Sequence, residues 1–232
     1  MSSEPLFAFD HKLSWDGLLT LLGGFLALFG IWWQVRHADA GLKQQLQAEK
    51  DARVGERDER KRAVSTAILF EIDRFYRYYV KNLLKDLSST GQACPALESP
   101  GPAPFPVYAT NCGQIGELDS QLAGAIVDFY ASAQRHAFRL CEYTERYNAA
   151  QAEGSGYKFR IAELLIPNIK SGGENLIPLA YIGCGYLCVY TGIPFTTAKF
   201  DVALGQGMSE AELLTAQTAI ENFRARVRRD RG

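Results

Sequence analysis

The chain has 232 residues, 47% of them apolar and 22% charged, with a formal net charge of −1. At ~100–200 residues per domain, that length allows one domain, or one domain plus an appendage; the apolar share argues against a mainly disordered protein, and the near-neutral charge rules out a polybasic nucleic-acid binder judged on bulk charge. Five cysteines are too few, and odd in number, for a disulfide scaffold, and a mean hydropathy of −0.13 is too low for a polytopic membrane protein.

Reading from the N-terminus, residues 1–12 form a short acidic tail. Leu18 to Trp33 then reads LLTLLGGFLALFGIWW, sixteen residues without a charge. Extended to 13–35, with Asp16 its single charge, the run spans ~34 Å as a helix against a hydrocarbon core of ~30 Å. All three tryptophans stand at its ends, Trp15 on one side and Trp32 and Trp33 on the other, as indole rings do at the headgroup boundary. The expected anchor residues are Trp15, Leu18, Leu22, Phe25, Leu28, Trp32 and Trp33. Gly23 and Ala27, with Gly30 a turn further on, are small residues that allow two such helices to approach closely.

A cleaved signal peptide is the competing reading, because Ala38-Asp39-Ala40 has the look of a cleavage site. The preceding residues carry Glu4, Asp10 and Asp16 against one Lys12, so a basic n-region is missing, and a retained anchor fits better. A soluble protein with a buried N-terminal helix is the other alternative. Beyond the span, Arg36, Lys43, Lys50 and Arg53 outnumber Lys12. The positive-inside rule then puts the N-terminus outside and the rest of the chain in the cytoplasm.

Residues 36–62 contain Leu42 and Leu46 and then a dense mixture of both charges, which reads as a solvated helical stalk with few coiled-coil positions. A helical body is expected over 63–232, entered by Val64, Ile68, Ile72, Phe75 and Tyr79 at steps of three and four. Five prolines mark 88–114 as a loop, in which Asn111 and Gly113 offer turn conformations. Cys94 and Cys112 flank it and would pair only in an oxidising compartment. A long helix comes next over 117–150, capped by Asp119, with Leu122, Ile126, Phe129, Ala133, Ala137, Leu140 and Thr144 on one face. A short helix over Tyr157–Ile166 is expected to stop at Pro167. Asn175 to Ala198 has no charge; it reads as a buried bundle helix, with a second membrane pass as the alternative. Ser209-x-x-Glu212 is a capping box ahead of Leu213, Ala216, Ile220, Phe223 and Val227. The fold class is therefore all-α: one N-terminal transmembrane helix, a long juxtamembrane helix, and an antiparallel helical bundle with a Pro-rich loop.

The stretch Phe105-Pro106-Val107-Tyr108-x-x-Asn111-x-Gly113-x-Ile115-Gly116-x-Leu118, and after it Ile126-Val127-x-Phe129-Tyr130, resembles a group of uncharacterised bacterial proteins with one N-terminal transmembrane helix and a cytoplasmic helical body. The resemblance implies a loop entering a long helix and implies no activity. Phe105, Val107 and Ile115 suit burial, while Tyr108 and Asn111, with His136, are candidate polar groups of a small pocket.

Signatures of chemistry are sparse. Cys184 and Cys188 stand one helical turn apart, with His136 and Cys141 conceivable as additional metal ligands, but the pair lies in an apolar run where cysteine behaves as a small hydrophobe, and neither CxxC nor HExxH is present. Glu71 and Asp73 point to different helix faces and make a poor acid–base pair. Neither a nucleophile elbow, a P-loop nor a dinucleotide fingerprint occurs. The arginine-rich run from Phe223 to Arg231 suits a helix C-terminus, or an anionic lipid surface. No catalytic residue, metal or cofactor is assigned. The expected role is a membrane-anchored interaction or scaffold protein with lipid and a protein partner or second copy as its contacts. The alternative is a membrane-acting stress or phage-defence effector whose cytoplasmic bundle senses a signal and changes transmembrane packing.

Overall fold

A computed structural model describes residues 15–89, 95–101, 103–195 and 207–231. The acidic tail and Cys94 lie outside these residues, as do the side chains of Trp15 and Leu18. Among the described residues there is no strand. The chain divides into two units, Met1–Arg57 and Asp58–Gly232, and helix α1 (Trp15–Phe75) supplies residues to both.

In the first unit every described side chain from Leu19 to Ala40 is exposed. Further along, Lys43 pairs with Asp39 at 2.9 Å and Arg53 with Glu49 at 2.6 Å, both at i, i+4. Pairs this exposed contribute little to stability, and they describe a solvated helix, as the alternating charges imply. Leu42 and Leu46 are exposed too.

The second unit is built on the expected apolar stripes. Val64, Ile68, Ile72 and Phe75 are buried. The helix then widens into a π segment, Tyr76–Lys81, before resuming as α2 (Asn82–Ser89). Each π turn takes an extra residue, so the buried face advances from the expected Tyr79, which is half-buried, to Tyr76, Val80 and Leu83.

Two prolines expected to prevent or end helices begin them instead. Pro106 opens α3 (Pro106–Ile115) and Pro167 lies in the first turn of α6 (Ile166–Thr191). The missing N–H costs nothing at a helix start, and the fixed φ suits it. Asn111 and Gly113 are consequently helical, not turn residues. The long helix is α4 (Ser120–Glu153), with Asp119 accepting from the Gln121 and Leu122 amides. It ends at Gly154, whose φ of 63° favours glycine. Ser155 caps the short α5 (Gly156–Glu163). The capping box closes as expected at the start of α7 (Glu210–Arg231): Ser209 and Glu212 each accept from the other's amide.

Side-chain contacts fix the topology. Glu71 meets Tyr130, Phe75 meets Phe129, and Leu83 shares a cluster with Leu140, so α1 through α2 runs parallel to α4. Gln121 donates to the Tyr186 hydroxyl, and Arg139 to the Asn168 carbonyl, so α6 runs antiparallel to α4. Ile177 lies beside Gly207 and Tyr186 stacks on Phe223, so α7 runs parallel to α6. Two helices run up and then two run down, an order that needs two long crossover connections. The proline-rich stretch is part of the first crossover.

Helix α6, uncharged from Asn175 onward, is a bundle helix: Ile177, Ala180, Tyr181, Cys184 and Leu187 are buried. It packs tightly on α7 at Gly185, where an added Cβ would collide with Ile220 Cδ1 and stand 2.7 Å from its Cγ1. Gly185→Ala is therefore expected to destabilise the body by about 2 kcal/mol, a cost of overpacking. Thermal loss of helicity checks this, and trimming the obstacle with Ile220→Ala should narrow the difference between glycine and alanine at 185.

Candidate functional site

The stretch from Phe105 to Leu118 is a docked helix start. Phe105 is buried against Phe75, with ring centres 4.7 Å apart, and meets Tyr130 edge-on at 5.0 Å. Pro106 turns the chain into α3, whose first amides lack partners within their own helix. Glu71 of α1 supplies one. Its carboxylate accepts from the Val107 amide at 2.7 Å, the Tyr108 amide at 3.0 Å and the Tyr130 hydroxyl at 2.7 Å. Tyr108 stacks on Tyr130 at 4.0 Å. Burial, the hydrogen bond to Glu71 and the carboxylate's charge together push the Tyr130 hydroxyl far above the usual phenol range, so it stays a donor.

This geometry gives Tyr108 and Asn111 structural work. Tyr108 covers the cap, and the Asn111 amide donates back to the Val107 carbonyl of its own helix at 2.9 Å. His136 stands elsewhere, in a cleft that contains neither residue.

The His136 cleft has a volume of about 190 Å³ and lies between α4 and α6. Ser132, Arg135, His136 and Arg139 line it from α4, Gly172 and Asn175 from α6. His136 is 1% exposed, and neither ring nitrogen has a hydrogen-bond partner. Burial, with a further push from the Arg139 charge, holds its pKa down at about 4; the Tyr79 carbonyl of the π segment opposes this without closing a hydrogen bond of ordinary geometry. The ring is thus neutral at physiological pH, with one N–H donor and one acceptor. Arg139 donates to the Asn168 carbonyl and Arg135 to the Ser132 hydroxyl, and neither guanidinium forms an ion pair among the described residues. A Cβ added at Gly172 would lie 3.0 Å from His136 Nδ1 and 3.5 Å from Arg139 Nη1. The glycine therefore lets α6 pack directly against the imidazole, where a side chain would be crowded. The sequence singles out His136 but not this setting; its signals are two arginines, one residue before and three after the histidine, and the Gly172-Gly173 pair inside a helix.

A larger groove of about 760 Å³ runs between Ser99, Gly101, residues 103–106 and α4, past Phe105, Ala137, Phe138 and Cys141. The Cys141 thiol lies 2.9 Å from the Ser99 hydroxyl and near the Gly101 carbonyl. Cys184 and Cys188 are instead buried in α6, and burial raises both thiols, Cys188 to about 12. They behave as small apolar groups.

On the apolar part of α1, Leu22, Phe25, Leu28, Trp32 and Trp33 are all exposed, and Gly23, Ala27 and Gly30 lie on the same bare surface. The Arg36 guanidinium sits 5.1 Å from the Trp32 ring, and His37 lies 4.7 Å from Trp33. One helix among the described residues is long and apolar enough to cross a membrane, and it is this one.

At the functional level the molecule thus presents an exposed apolar helix, a helix-capping carboxylate and a basic cleft around a buried histidine. No protein family, no curated protein and no solved structure matches the chain.

Proposed function

We propose that the protein is a single-pass bacterial inner-membrane protein, its N-terminus outside and its helical body cytoplasmic, acting as a non-catalytic interaction module for a protein partner or a second copy. The observation that supports this reading is the contrast between its two most apolar helical stretches. The uncharged stretch of α6 is buried among α4 and α7. Among the described residues nothing covers the uncharged stretch of α1, with Leu21, Phe25, Leu26 and Leu28 all more than two-thirds exposed. A contiguous apolar surface of that size is a membrane or partner contact in a stable protein, and its length and aromatic end match a bilayer.

Fractionation of expressing cells tests the anchor. The full chain should remain with membranes through alkaline carbonate washing, and a chain lacking residues 1–36 should become soluble and retain a helical circular dichroism spectrum. Full-length protein in the aqueous fraction without detergent would defeat the proposal. Cys112, exposed on α3, tests orientation: a membrane-impermeant maleimide should label it after permeabilisation and not in intact spheroplasts.

A further inference from the structure

We propose that the cleft between α4 and α6 around His136 binds a phosphate-type oxyanion, either free phosphate or the phosphate of a small monoester or lipid headgroup. The inference is independent of the membrane reading. It starts from an unmet requirement: buried polar groups have partners in folded proteins, and His136, 1% exposed, closes no hydrogen bond of ordinary geometry at either nitrogen, the Tyr79 carbonyl acting on it only electrostatically. An apolar residue would fill the same place at lower cost.

The surroundings specify what the partner is. Two guanidiniums line the cleft without a balancing carboxylate, and no acidic side chain lines it from either helix. Facing the ring are Ser132, Arg135 and Arg139 on α4, Gly172 and Asn175 on α6, and the Tyr79 carbonyl on the π segment. Apart from that carbonyl, the set is dominated by donors of positive or neutral charge. Guanidinium forks match oxyanions in two-point hydrogen bonds. Two guanidiniums and a hydroxyl line the cleft, with the buried imidazole in its wall, a donor set that suits a multiply charged tetrahedral anion. The volume, about 190 Å³, accommodates a phosphate group and is below that of ordinary organic-ligand pockets. Gly172 brings the α6 backbone close to the His136 ring and Arg139 at the edge of the cleft, so a methyl group there would displace both.

The test uses full-length protein in neutral detergent micelles, labelled with 15N in its histidine rings. The chain has three histidines, so the His136 signals are assignable by substitution of the other two. Inorganic phosphate is titrated at neutral pH and constant ionic strength. Saturable movement of the His136 ring signals, not reproduced by chloride, is expected, with binding at least about tenfold weaker in Gly172→Ala and in Arg139→Gln. Arg135 and Arg139 are exposed, so the double variant Arg135→Gln/Arg139→Gln preserves the core should Gly172→Ala fail to fold. A second arm replaces free phosphate by nanodiscs with and without phosphatidic acid; a response confined to the phosphatidic acid discs identifies a lipid headgroup as the source. Ring signals unmoved by phosphate and by phosphatidic acid, or moved equally in the double arginine variant, would overturn the proposal.

Discussion

Replacing Glu71 by alanine is expected to destabilise the helical body by about 3 kcal/mol, a fall of roughly 6–12 °C in its melting midpoint for a body of this size. The reason is the number of groups that depend on one carboxylate. Two backbone amides at the start of α3 and the Tyr130 hydroxyl all donate to it, and each unpaired donor costs about 1–3 kcal/mol; the site is half-buried, which places the losses at the lower end. Glu71→Gln keeps one acceptor oxygen and should fall between wild type and alanine. Tyr130→Phe removes one bond of the three and should cost about 1 kcal/mol. Thermal denaturation of the full chain in detergent, monitored by circular dichroism, orders the series. A Glu71→Ala protein melting with wild type would show that α3 docks by apolar contact alone.

The second large effect is a loss of stability in acid. The His136 ring has a pKa of about 4 in the folded body against 6.5 for a free histidine. Between these values the unfolded chain takes up a proton that the folded one refuses, so stability rises with pH across that window. It is fully present above about 6.5 and is lost progressively as pH falls to about 4, a total of roughly 3 kcal/mol. Arg139 and burial hold the proton off; the Tyr79 carbonyl is the group that opposes them. Asp73 tends the other way at the acid end, because burial raises its carboxyl despite the ion pair with Arg77. Urea midpoints measured from neutral pH down to pH 4 should therefore show a slope that His136→Leu flattens. An unchanged slope in that variant would assign acid sensitivity to the carboxylates instead.

Periodicity carries most of the fold. The stripes from Val64 to Phe75 and from Leu122 to Leu140 are buried as their spacing demands, and Asp119 and Ser209 cap the helices they precede. What periodicity lacks is position in the third dimension. Pro106 and Pro167 read as breakers because proline forbids a helix interior, while their place in the first turn depends on which residue starts the helix. The π segment is invisible in the sequence because one inserted residue leaves a locally helical pattern intact and only rotates the later side chains about the helix axis. Direction is hidden as well: a proline-rich stretch does not reveal that it carries the chain back to run α4 parallel to α1. Of the candidate site, His136 is legible as a polar residue on an apolar face. Its setting is not, because Gly172 reaches it only when α6 lies antiparallel on α4, although Arg139 follows it by one helical turn on α4 itself.

The parallel pairing of α6 with α7 has a consequence for synthesis. During translation α4 emerges before α6 and can cover one flank of it, while the flank facing Ile220 and Phe223 stays open until the last helix leaves the ribosome. For that interval the uncharged stretch of α6 presents an uncovered apolar flank to water. Nascent chains arrested before Glu210 should therefore be held by chaperones until α7 is available to cover that flank.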